Sequence, residues 1–97
     1  LENVVFLELV RRGYKVNIGK IAEKEVDFVA SRTGDLEYYQ VCATVLDETT
    51  LNRELEPLKK IPDHYPKILL TLDDIITNAN YDGIRQMNVL DWLTNKS

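Results

Sequence analysis

Apolar residues at the start of the chain recur with helical spacing. At about 100° per residue, the stretch Leu1 to Arg12 gathers Val5, Phe6, Leu7, Leu9 and Val10 on one side and sets Glu8, Arg11 and Arg12 opposite. Gly13 stops this helix where a left-handed residue is usual. Glu2 and Asn3 break the pattern, because both project from the apolar side at its N-terminal end. From Tyr14 the period shortens to two. Tyr14, Val16 and Ile18 alternate with Lys15 and Asn17, which predicts a half-buried strand.

A hairpin follows. Val26, Phe28 and Ala30 face one way along its first strand, with Glu25, Asp27 and Val29 on the other side. "SRTGD" is the turn, and the second strand sets Tyr39, Val41, Ala43 and Val45 against Leu36, Tyr38, Gln40, Cys42 and Thr44. Aligning the apolar sides of the two strands puts Asp27 on one surface with Gln40 and Cys42, although a slip of one residue would separate them. "LDETTLNRELEPLKKI" then predicts a helix with Asp47 as N-cap and Leu51, Leu55 and Leu58 on its inner side. Pro57 should end or kink it, since proline lacks the amide donor. After the loop "PDHYP", the unbroken apolar run "KILLTL" predicts a central strand covered on both faces. "TNANYDG" is a long turn, "IRQMNV" a last strand and "LDWLTN" a short closing helix. The predicted order is α-β-β-β-α-β-β-α: an α/β domain with a mixed central sheet flanked by helices, a single unit over residues 1–97.

Composition narrows this picture. At 97 residues and 44% apolar, the chain can bury enough surface to offset its ordering entropy. No apolar run approaches the roughly 20 residues that span a bilayer, so no membrane partner is expected. One cysteine forms no internal disulfide, which points to a reducing, cytoplasmic setting. A formal charge of −4 argues against a grip on nucleic acid through broad phosphate neutralisation. The chain opens on Leu1 already in a helix, which predicts a piece of a longer protein.

A helix, a three-stranded meander, a helix and a further strand follow the core order of the restriction-endonuclease-like fold, and the acidic positions resemble those of its PD-(D/E)XK nucleases. In that family a helical glutamate, a strand aspartate and an acidic-x-lysine triplet converge on a divalent metal. Glu2 matches the first, Asp27 the second, and Gln40-Val41-Cys42 stands at the triplet. More narrowly, "LENVVFLELVRRGYKV" with "EVDFVA", and "LEPLKKIPDHYPKILLTLDD", are similar to the C-terminal domain of bacterial and archaeal AAA-type ATP-binding proteins. The resemblance covers nearly the whole chain. It implies the ATPase portion of the same polypeptide as a partner and nucleic acid as a further one.

The triplet departs from the family, where glutamate-valine-lysine is common. Mg²⁺ and Mn²⁺ favour hard oxygen ligands, and two carboxylates normally hold such an ion against the scissile phosphate. Here Glu2, Asp27 and the neutral Gln40 would bind it weakly, while Cys42 supplies no cation and is a soft ligand. Losing a charge stabiliser of this kind costs on the order of 10²–10³ in rate. The expected site is therefore vestigial: Glu2, Asp27, Gln40 and Cys42 mark it, no cofactor is required, and Mg²⁺ or Mn²⁺ would be the metal if one binds. Lys20 or Lys24 offers a substitute ammonium from a neighbouring position. The expected function is an accessory, nuclease-like domain without cleavage; a working metal-dependent nuclease and a protein-interaction module are the alternatives. Each residue also has a plainer role. Glu2 suits a first helical turn, Asp27 the solvent side of a sheet, Gln40 hydrogen bonding and Cys42 inert packing. His64 suits an exposed loop, and Arg53, Lys59 and Lys60 suit a solvated helix face.

Overall fold

The computed structural model describes residues 1–21, 24–74 and 79–94, and the side chains of these residues apart from 19–21, 24 and 25. Helix α1 (Glu2–Arg11) leads into a meander of β1 (Lys15–Ile21), β2 (Lys24–Arg32) and β3 (Asp35–Val41). Helix α2 (Glu48–Lys59) then crosses to β4 (Lys67–Thr71), and a tight hairpin of β5 (Asn80–Tyr81) and β6 (Ile84–Asn88) ends in α3 (Val89–Thr94). These strands form one mixed sheet in the order β1-β2-β3-β4-β6-β5. The meander is antiparallel, β3, β4 and β6 are mutually parallel, and β5 returns antiparallel at the edge. The expected α/β class, a mixed sheet flanked by helices, describes it. Among the described residues no helix is long and apolar enough to cross a membrane.

The apolar run of β4 lies in the sheet's interior, between β3 and β6, as its composition required. Ile68 and Leu70 enter the core under α1 and α3, together with Val5, Leu9, Tyr39, Val89 and Trp92. Leu69 enters the second core, under α2, with Leu55, Leu58, Val26 and Tyr38. Pro57 does not stop α2, which runs two residues past it to Lys59; the amide that its ring lacks costs the helix one bond in its last turn. Buried Leu58 holds the turn onto the sheet. The residues read as a long turn contain β5. Asp82 (φ 53) and Gly83 (φ 94) both have positive φ and close a two-residue hairpin of the kind Asp-Gly favours. Residues 75–78 lie outside the described part.

Two regular alternations fail. First, one residue of β1, Ile18, faces two of β2, Asp27 and Phe28, between the pairs Asn17↔Val29 and Gly19↔Val26. This bulge turns the strand over, so Val26 packs under α2 while Phe28 and Ala30 pack under α1 and α3. Ile18, expected inward, is 75% exposed. Second, α1 buries Val5 and Leu9, whereas Leu7 and Val10 of its expected inner side are 64% and 49% exposed.

The end of α1 is built for a sharp exit. The Gly13 amide donates to the Val10 carbonyl and the Tyr14 amide to that of Leu9, a pairing that needs a left-handed residue at Gly13 (φ 91). Tyr14 then lands beside Leu9 in the core. Replacing Gly13 by alanine should therefore cost about 1 kcal/mol, because the Cβ is strained there whatever the free space. A urea midpoint that falls with an unchanged m-value checks this, and an unchanged midpoint would refute it.

Candidate functional site

The β2–β3 ladder runs from Arg32↔Asp35 up to Phe28↔Tyr39 and stops one pair short of Asp27 and Gln40. Beyond it, side chains replace the ladder. The Asp27 amide donates to Gln40 Oε1 at 2.7 Å, and the Val41 amide donates to Asp27 Oδ2 at 2.9 Å. Gln40 is buried, and its other end is also engaged: Nε2 donates to the Glu54 carbonyl of α2 at 3.2 Å. An amide meets both demands, since one end accepts and the other donates, whereas an ionised carboxylate could only accept. The bulge next to Asp27 locally disrupts the β1–β2 pairing, and bulges of this kind sit beside functional sites in many sheets.

These residues floor a cleft of about 340 Å³ whose walls include Glu2 from α1 and Arg53, Glu54 and Glu56 from α2. Glu2, Asp27 and Gln40 therefore come together as expected. Cys42 does not join them. It lines a neighbouring depression of about 300 Å³ with Leu1, Glu2, Asn3, Val41 and Ala43. Burial raises the Cys42 thiol above its usual pKa, and the sulfur donates to the Thr44 carbonyl at 3.3 Å. It is a packed, protonated thiol at neutral pH. The chain after it is pinned by Asp73, whose carboxylate accepts from the Thr44 hydroxyl at 2.6 Å and the Val45 amide at 2.8 Å.

Glu54 is the acid that reading the chain missed. Burial raises its pKa, with the Asp27 and Glu2 charges adding to the effect and Arg53 opposing it. Helical geometry could have found it, since a step of four residues leaves Glu54 about 40° from Leu58 on the inner side of α2. The cleft thus holds acids from two helices and a strand beside a neutral amide. Among the described residues, however, no group of three or more His, Cys, Asp or Glu side chains is placed to hold a metal ion. One Asp27 oxygen already receives an amide, and the Gln40 oxygen receives another. A divalent ion such as Mg²⁺ or Mn²⁺, which needs several oxygens turned to one point, would have to share these oxygens with the two amides.

The remaining candidates stand apart from the cleft. His64 is exposed in the loop before β4, where the Tyr65 amide donates to Asp63 Oδ1 at 3.0 Å. Lys59 and Lys60 are exposed at the end of α2. The side chains of Lys20 and Lys24 lie outside the described residues.

No family model matches the chain. Over 93 residues, 96% of its length, it is 42% identical to an uncharacterized protein of Haemophilus influenzae, and the match takes up 22% of that protein. The chain thus spans about a fifth of the length of the relative it matches.

A raised carboxyl pKa in the folded state means that folding favours the protonated form of Glu54. Its favourable contribution is complete below the unfolded pKa and is lost as pH rises through the folded one. Glu54→Gln should therefore stabilise the protein at pH 7, by on the order of 0.5 kcal/mol after solvent screening, and leave it unchanged near pH 3. Denaturation curves at the two pH values test this, and equal effects at both would exclude the acid repulsion.

Proposed function

We propose that this is a nuclease-like domain whose hydrolytic site has become a structural tie, and that it serves as an accessory docking module of a larger ATP-binding polypeptide. The observation that carries this reading is Gln40. At the position where the nuclease family places a metal-binding acid stands an amide with both ends engaged, one on Asp27 and one on the backbone of α2. The second position of the pair, Cys42, brings a protonated thiol where hydrolysis calls for an ammonium.

The docking half of the proposal rests on α1. Its apolar arc is wider than the sheet covers, and Val4, Phe6, Leu7 and Val10 remain 39–64% exposed. Such a stripe on one helix suits a protein surface better than a nucleic-acid backbone. An acid-lined cleft in a chain of net charge −4 points the same way. The match to about a fifth of a longer relative is consistent with a module that works within a larger chain.

Two experiments test the halves separately. With Mn²⁺ and a DNA substrate, wild type and Asp27→Ala should both show no cleavage above background, while Gln40→Glu combined with Cys42→Lys should create it. Cleavage by wild type that Asp27→Ala abolishes would overturn the first half. For the second, Leu7→Asp with Val10→Asp should change the stability of the domain by less than about 0.5 kcal/mol, because both sites are exposed. The same pair should abolish its co-purification with the separately expressed ATPase portion, and undiminished co-purification would overturn that half.

A further inference from the structure

A second cleft, of about 330 Å³, opens on the face under α1 and α3, toward the end of β3 that begins at Asp35. It lies away from the acid cleft, and its charge is opposite. Arg12, Arg32, Lys67 and Arg85 line it, with Glu37 as the acid among them. Two of the cations are held in place by aromatic rings. The Arg12 guanidinium lies 4.4 Å from the Trp92 ring centre and donates to the Trp92 carbonyl at 2.6 Å. That of Arg32 lies 4.3 Å from the Tyr14 ring centre and donates to the Arg12 carbonyl at 3.1 Å.

The charges of three cations are partly answered by acids that do not line the cleft. Arg12 meets Glu8 at 2.7 Å, Arg32 meets Asp35 at 3.6 Å, and Lys67 meets Asp63 at 3.2 Å. Arg85 differs. Its side chain is exposed on β6 and makes no hydrogen bond or ion pair with any described residue. Glu37 is oriented rather than neutralised, since the Tyr39 hydroxyl donates to one of its oxygens at 2.5 Å and the Tyr14 hydroxyl to the other at 3.2 Å. Each carboxylate oxygen keeps acceptor capacity beyond the one phenol.

We propose that this cleft binds a small phosphomonoester, with Arg85 on the phosphate, Arg12 and Arg32 as fixed positive charge beside it, and Glu37 accepting hydrogen bonds from the hydroxyls of the ligand. The guanidinium fork favours a phosphate because two parallel N–H bonds match two of its oxygens. Rings that hold the arginines in advance lower the ordering entropy that binding would otherwise cost. The volume sits at the lower end of the roughly 300–1,000 Å³ typical of small-molecule sites, which suits one phosphorylated sugar rather than a polymer.

Calorimetric titration tests this with three probes: inorganic phosphate, ribose 5-phosphate and a single-stranded oligonucleotide. Ribose 5-phosphate should saturate the protein and change the fluorescence of Trp92, the chain's one tryptophan, with inorganic phosphate binding more weakly at the same site. Arg85→Ala should weaken ribose 5-phosphate by about tenfold or more, and Arg85→Lys by less. The exposure of Arg85 lets both variants fold, which circular dichroism verifies. Wild type that does not saturate with ribose 5-phosphate would overturn the proposal, as would an Arg85→Ala titration that overlays wild type. Binding of the oligonucleotide without ribose 5-phosphate would overturn it too, assigning the arginines to a polymer backbone instead.

Discussion

Where the β2–β3 ladder stops, two hydrogen bonds between side chain and backbone take over, and the geometry of the acid cleft depends on them. A ladder that simply ended there would leave the amides of Asp27 and Val41 unpaired close to the core, and an unsatisfied buried amide costs about 1–3 kcal/mol. Asp27 and Gln40 remove that cost together, each supplying an acceptor to the other strand. Gln40 then reaches on to α2, so the tie joins three elements rather than two. The strands are held and the crossover helix is positioned by the same side chain. Under the proposed reading, this is a structural use of positions that the nuclease family gives to metal.

The tie also explains which residue stands at position 40. Glutamate has nearly the same shape, but when ionised it cannot donate, so its second oxygen would face the Glu54 carbonyl and repel it. It would also add a buried charge to a cleft that already contains Asp27, Glu2 and a Glu54 whose proton is held more tightly than usual. A divalent cation would reverse this balance by compensating the charges at once. Without one, the amide is the more stable choice by both counts. The half-buried cysteine two positions on is neutral as well, and a thiol packs there with less desolvation than an ammonium would.

Much of this architecture was legible in the chain, for reasons that separate the successes from the failures. Buried β4 announced itself through "KILLTL", because a strand covered on both faces needs apolar residues at every position. The Asp27–Gln40 neighbourhood followed from aligning two apolar alternations. Alternation failed where the backbone stopped being regular. The bulge at Asp27 and Phe28 changes which core Val26 enters, and no local propensity marks it. The short β5 was missed although "DG" advertised its turn, since two residues carry no period. Leu7 and Val10 misled because a helical wheel shows which residues share a side, not how much of that side the sheet can reach. Glu54 was overlooked because an acid on an apolar flank reads as solvated until the partner across the cleft is known.

The two clefts divide the domain in a way that bears on what each half of the proposal requires. Around Gln40, acids gather with Arg53 as the one cation among the described residues lining the cleft, and the neutral tie limits their mutual repulsion. Around Glu37 the balance is inverted, with phenols holding the single acid and rings holding the arginines. Opposite charge at separate sites gives a surface field with direction even though the net charge is only −4. An anion approaching the domain is turned away from the acid cleft and toward the arginines. A phosphate-bearing chain laid across the acid cleft would meet Glu2, Asp27, Glu54 and Glu56 with only Arg53, among the described residues lining it, to answer its charge.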